Sequence, residues 1–171
     1  VTAIQVLNAA ASSDNCGTVN AASVSPNSFN CTNLGTNTVT LTANDGHGNA
    51  ATCSAVVTVN DNTTPTVICQ NVSVNLSGST ASITAGQVLN AAASSDNCGT
   101  VNAASVSPNS FNCSNLGTNT VTLTANDGHG NTATCSAVVT VNDNTAPTVV
   151  CQNVSVNLNG STASVTASQV L

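Results

Sequence analysis

Between Leu116 and Asn144 two runs alternate apolar and polar residues at period two. Val121, Leu123 and Ala125 fall on one face of a first run, and Cys135, Ala137, Val139 and Val141 on one face of a second. The runs are separated by Asn126-Asp127-Gly128-His129-Gly130-Asn131, so the pattern predicts a β-hairpin with one buried face. The same stretch recurs with one change at Leu34 to Asn62. Upstream of the second copy, Thr66–Leu76 reads as a strand, Ser77-Gly78-Ser79 as a turn and Thr80–Val88 as a returning strand. Leu89–Ser95 reads as extended loop, followed by a Val/Ala/Ser strand that ends at Pro108. About seven short strands with turn signals every 8 to 15 residues, and no helical period, predict an all-β fold of tandem immunoglobulin-like β-sandwich domains.

A shift of 82 residues carries Cys16, Cys31, Cys53 and Cys69 onto Cys98, Cys113, Cys135 and Cys151, with only seven of the first 82 positions differing. The chain is a tandem array. Its phases are residues 1–60, the later portion of one repeat; 61–142, a whole repeat; and 143–171, the first portion of a third. Val1–Leu7 recurs as Ile83–Leu89 and Val165–Leu171, which is expected of a window on a longer polymer or of protomers completed by their neighbours. The polar, Pro-containing stretch Asp61 to Pro65 is the expected linker.

The chain has no Lys or Arg, only six acids, all Asp, and two aromatics, Phe29 and Phe111. Nothing could neutralise phosphates, so no nucleic-acid partner is expected. No apolar run approaches a membrane span, so no membrane insertion is expected. Small side chains bury little area, and a unit this size needs staples. Eight cysteines at fixed spacing, without CxxC pairs, predict disulfides made in an oxidising compartment, hence an extracellular or cell-surface protein.

The order Pro65-x-x-x-Cys69, Asp96-Asn97, Phe111, Leu116-Gly117-Thr118-Asn119-Thr120-Val121, Asp127-Gly128-x-Gly130-Asn131 and Cys135-Ser136-x-Val138-Val139-Thr140-Val141 resembles the hyalin repeat, the HYR module of bacterial surface and secreted proteins. The resemblance covers the whole unit in both copies. It implies an immunoglobulin-like, extracellular module with a role in adhesion and no catalytic residues. Cys98 and Cys113 lie outside that pattern. In a sandwich of this order the first strand runs parallel beside the last, which makes Cys69 the expected partner of Cys135, and the resemblance implies the same pair. Cys98 is then expected to take Cys113 and Cys16 to take Cys31. Cys53 and Cys151 are left to be satisfied by a neighbouring segment, through continuation of the array or strand complementation.

Three acids per period are expected to meet at each junction: Asp61 in the entering linker, Asp96 in the loop after the second strand, and Asp127 in the hairpin loop. Without cationic side chains, clustered carboxylates repel unless a cation intervenes, and Asp and Asn oxygens are the ligands Ca²⁺ prefers. The expectation is one Ca²⁺ per junction on Asp61, Asp96 and Asp127, with Asn62 and Asn97 as helpers. Asp14 and Asp45 would meet an equivalent of Asp143 at the other junctions. His47 and His129 stand beside Asp45 and Asp127 but without a nucleophile motif, so no enzyme is expected and both histidines are read as exposed loop residues.

The sequence therefore points to a structural repeat of an extracellular filament or surface stalk, with identical repeats or protomers joined head to tail through calcium-stiffened junctions. The alternative is an adhesin or carbohydrate-binding repeat that recognises surface glycans, against which stands the lack of Trp and Tyr.

Overall fold

The computed structural model describes all 171 residues. It is mostly β, with a few short helical turns and two disulfides. The first unit carries a helical turn α1 (Ala3–Val6) and strands β1 (Asn20–Ser25), β2 (Gly35–Asn44) and β3 (Ala50–Val59) in an antiparallel sheet of order β1-β2-β3. The second unit carries β4 (Val72–Asn75), β5 (Thr80–Ser82), helical turn α2 (Ala85–Val88), β6 (Asn102–Ser107), β7 (Ser110–Asn112), β8 (Gly117–Asn126) and β9 (Thr132–Asn142). These form a four-stranded sheet β4-β9-β8-β6 and a two-stranded sheet β5-β7. A last helical turn, α3, covers Ala167–Val170.

The alternating hairpin forms as its pattern requires. Leu123 faces Cys135 and Val121 faces Ala137 across β8 and β9, which puts the apolar set on one side. The core of the second unit gathers Val121, Leu123 and Val139 from that hairpin with Phe111, Val88, Leu76 and Ile83. β4 runs parallel to β9, with Val72 opposite Val139 and Val74 opposite Val141. This sets Cys69 and Cys135 with their Cα atoms 5.8 Å apart, joined in a disulfide.

Three local expectations are corrected. The end of Thr80–Val88 is a helical turn and not strand, because Thr84-x-x-Gln87 is a capping box: the Thr84 N–H donates to Gln87 Oε1 at 2.7 Å, and Thr2 with Gln5 repeats the contact at 2.8 Å ahead of α1. Thr66–Leu76 is not one continuous ladder strand. Thr66 bridges Ser95 and Cys69 bridges Leu89 before the chain joins β9 at Val72, so the segment passes from one partner to another. Leu89–Ser95 contains a turn closed by Asn90 and is held at both ends by those bridges. The second unit accordingly has six ladder strands, where about seven are expected from the sequence.

The two units share sequence but not burial. Phe111 is 2% exposed, whereas its counterpart Phe29 is half-buried and its neighbours Ser28 and Asn30 are not in a strand. Residues 28–30 lack the partner that β5 gives β7. Truncating Phe111 to Ala should therefore cost about 3–5 kcal/mol, and Phe29→Ala distinctly less. Urea unfolding of the two variants checks the difference, and equal losses would contradict it.

Candidate functional site at the junction

The linker between the units is shaped by its own turn and tied to the second unit. Asp61 Oδ1 accepts the Thr63 N–H at 3.0 Å, closing an Asx turn that shapes the linker. The Asn131 side-chain amide donates to the Asp61 backbone oxygen at 3.1 Å, fastening the linker to the β8–β9 hairpin loop. A disulfide between Cys31, which opens the 3-10 turn Cys31–Asn33 of the first unit, and Cys98 of the second crosses the same junction with a Cα–Cα distance of 5.1 Å.

That bond corrects the expected pairing. Cys98 is bonded to Cys31 and not to Cys113, and Cys16 is not bonded to Cys31; Cys16, Cys53, Cys113 and Cys151 are free and exposed. The reason is position along the unit. Cys113 opens its own 3-10 turn at the end of the second unit that corresponds to where Cys31 sits in the first. Cys98 lies near Asp61 and Asp127, at the opposite end. The two cysteines of one repeat thus serve two different junctions.

Asp61, Asp127 and His129 come together here, with one ligand atom from each lying within 4.8 Å of the others. The Asp127 loop is built from its own backbone: Oδ1 accepts the N–H groups of His129 at 2.7 Å and Asn131 at 3.1 Å, and Oδ2 accepts the Asn131 side-chain amide. Gly99 lets this loop approach, since a Cβ there would lie 3.2 Å from the Asp127 carbonyl oxygen and 3.4 Å from the His129 ring. Asp61 is different. Its side chain is fully buried and Oδ2 has no hydrogen-bond partner; the nearest cationic candidate, His129 Nδ1, is 3.8 Å away and beyond hydrogen-bond reach. A buried carboxylate oxygen without a donor is costly unless a positive charge satisfies it.

Asp96 is one amide removed from this group. The Asn97 side chain lies between Asp61 Oδ1, at 3.3 Å, and the Asp96 carboxylate, at 3.2 and 3.3 Å. Whichever way its amide is turned, the amide oxygen faces one carboxylate while the nitrogen serves the other, and a cation would relieve that contact. Asp96 Oδ2 also accepts the Cys98 N–H at 2.9 Å, linking the acid to the disulfide. Asn62 is exposed and lines one open cavity with Asp61 and His129. In the first unit Asp45 repeats the Asp127 loop with His47 and Asn49, and Asp14 repeats the Asp96 contact by accepting the Cys16 N–H at 2.9 Å. Asp143, the counterpart of Asp61, is exposed and accepts the Thr145 N–H at 2.9 Å. These residues form two separate halves of the junction that Asp61 and Asp127 complete.

The electrostatics follow the hydrogen bonds. Burial pushes the Asp127 carboxyl up, but the Asn131 amide and the His129 and Asn131 N–H groups outweigh it and hold the carboxyl below the ordinary range. Asp45 is lowered too, by the Asn49 side chain first and then the His47 N–H. His129 is an exposed loop residue, as expected from the sequence; what the sequence reading missed is that its ring also comes to 3.8 Å from Asp61, and the only signal was its position two residues after Asp127.

The group can hold a metal ion. No helix is long and apolar enough to cross a membrane. The chain matches no family model and no curated protein.

A carboxyl lowered in the folded state adds stability above its unfolded pKa, about 4, and that stability is lost as pH falls through the lowered folded value. Asn131→Ala removes the side-chain donor and leaves burial less opposed. The Asp127 carboxyl should then titrate at higher pH and the acid unfolding midpoint should move up. Carboxyl ¹³C NMR titration reads the first and circular dichroism the second; an unmoved Asp127 would refute the assigned cause.

Proposed function

We propose that the chain is a structural repeat of an extracellular filament or surface stalk, in which immunoglobulin-like units of hyalin-repeat type follow one another head to tail. The observation that carries this reading is the joint itself. Two near-identical units are linked by a disulfide, Cys31–Cys98, that spans the linker, beside a linker pinned by Asn131. A flexible string of independent modules has no use for either. Disulfides also support an oxidising, extracellular setting. The lack of Lys and Arg removes the sites that basic-specific proteases need.

In this reading a cation completes the joint. Asp61 Oδ2 and the crowded Asp61–Asn97–Asp96 oxygens supply an oxygen-rich set suited to Ca²⁺. A second metal reading rests on one observation, the His129 imidazole within the group. Imidazole beside two carboxylates suits Zn²⁺ or another transition ion better than Ca²⁺. Either ion would bind both the linker and the hairpin loop, and so stiffen the joint.

Electron microscopy of the native material with and without chelator tests the filament. Straight fibres with a repeat of about 40 Å, from strands of some ten residues plus a junction, are expected to slacken when the ion is removed. Isolated particles in both samples would defeat the reading. Calorimetric titration with Ca²⁺ and Zn²⁺ separates the ions: His129→Ala should leave Ca²⁺ binding within a few-fold, but should weaken Zn²⁺ binding by ten-fold or more. Asp61→Asn should weaken either.

A further inference from the structure

Four consecutive residues, Asp96-Asn97-Cys98-Gly99, each touch a different part of the joint and connect its charge cluster to its covalent bond. Asp96 Oδ2 accepts the Cys98 N–H at 2.9 Å, so the acid and the bonded cysteine share one turn. One end of the Asn97 side-chain amide lies 3.3 Å from both Asp61 Oδ1 and Cys98 Sγ, and the other end lies 3.2 and 3.3 Å from the Asp96 carboxylate oxygens. The Asn97 backbone oxygen is 3.2 Å from Cys31 Sγ. Gly99 sits against the hairpin loop, where a Cβ would come 3.2 Å from the Asp127 carbonyl oxygen and 3.4 Å from the His129 ring. A shift of the acids is therefore a shift of the disulfide.

The same place holds a carboxylate oxygen that calls for a cation. Asp61 Oδ2 is fully buried, has no hydrogen-bond partner and lies 3.8 Å from His129 Nδ1, within the Asp61, Asp127 and His129 group. An open cavity of about 270 Å³ adjoins it. One wall is Leu34 and Gly35, directly after the 3-10 turn that Cys31 opens, and the other includes Asp61, Asn62 and His129. The cavity thus lies between the Cys31 side of the joint and the acid group. Closing the joint sets Asp96 and Asp127 of the second unit against Asp61 of the linker, and the chain has no Lys or Arg to offset them. A divalent cation removes that repulsion, whereas the disulfide only withstands it.

We infer that Ca²⁺ binding at the Asp61 cluster and closure of the Cys31–Cys98 disulfide are thermodynamically coupled: the ion protects the bond from reduction, and the bond tightens the ion's site. This rests on the calcium reading of the joint given above. Both events favour the same closed arrangement of the linker and residues 96–99, so each favours the other by the same factor. The bond forms by thiol–disulfide exchange with a small-molecule disulfide such as oxidised glutathione. The Cys31 and Cys98 thiols give up two protons and two electrons as their Sγ–Sγ bond forms; the glutathione S–S bond breaks, and its two sulfurs take up both and leave as thiols. The calcium level of the surroundings thereby sets how readily a reductant opens the joint.

The test uses the 171-residue chain with its exposed thiols removed by Cys16→Ser, Cys53→Ser, Cys113→Ser and Cys151→Ser. Samples are equilibrated in graded glutathione buffers with Ca²⁺ or with chelator at equal ionic strength, alkylated, and cleaved before aspartate. Fragment 14–44 joined to 96–126 reports Cys31–Cys98, and 61–95 joined to 127–142 reports Cys69–Cys135 as internal reference. Ca²⁺ should move the first midpoint toward more reducing buffer by about ten-fold in the ratio of squared thiol to disulfide, or ~30 mV for this two-electron exchange. The reference should move far less. Asp61→Asn, in which fragment 45–95 replaces 61–95, should abolish the shift while the intact reference bond reports a folded second unit. Cys31→Ser with Cys98→Ser should weaken Ca²⁺ binding in calorimetry by the same factor. Ca²⁺ bound with the first midpoint unmoved, or both midpoints moved equally, would overturn the coupling and keep the calcium joint. No Ca²⁺ binding would remove the calcium joint and the coupling with it.

Discussion

A chain made largely of Val, Ala, Thr, Ser and Asn has little apolar volume to withdraw from water, while the entropy of ordering each residue is not reduced in proportion. Only 19 of 171 residues are buried, and most of these belong to the second unit. Covalent closure makes up the difference. Cys31–Cys98 and Cys69–Cys135 close loops of 67 and 66 residues, each worth about 4 kcal/mol in the chain-entropy account. One bond ties the first and last strands of a unit, and the other ties one unit to the next. Internal stability and the geometry of the joint are therefore secured by the same chemistry.

The joint also concentrates charge. In a molecule with no Lys or Arg, three acids per repeat are drawn toward one place by a linker, a loop and a hairpin. Asp127 is neutralised locally by the donors of its own loop, so it is a rigid fixture. Asp61 is buried by the approach of the second unit and left with one oxygen unsatisfied. The difference between Asp61 and its exposed counterpart Asp143 is the difference between an assembled junction and an open one. Burial of the carboxylate and formation of the Cys31–Cys98 bond are two results of the same contact.

The alternating hairpins and the neighbouring of Cys69 and Cys135 were legible in the sequence, because period-two patterning and chain order determine them directly. The capping boxes at Thr2, Thr84 and Thr166 were legible too, but the apolar residues around them resemble a strand over so short a span. The pairing of Cys98 was not legible. Sequence proximity favours Cys113, and only the placement of the two 3-10 turns at opposite ends of a unit assigns each cysteine to a different joint. The approach of His129 was hidden for a related reason: it depends on Gly99, thirty positions earlier, leaving room for the ring.

The Cys31–Cys98 bond has a mechanical corollary. A pull applied along the chain passes from Cys31 to Cys98 and then back through residues 97 to 70 and across Cys69–Cys135, the shorter covalent route, so residues 32 to 68 carry no covalent tension. At roughly 3.4 Å per extended residue, that shields about 130 Å of contour, including β2, β3 and the linker. Such a strand yields little length before its backbone is taut, and it transmits load as a cable does, where an array of unlinked modules would unravel one by one and absorb the work.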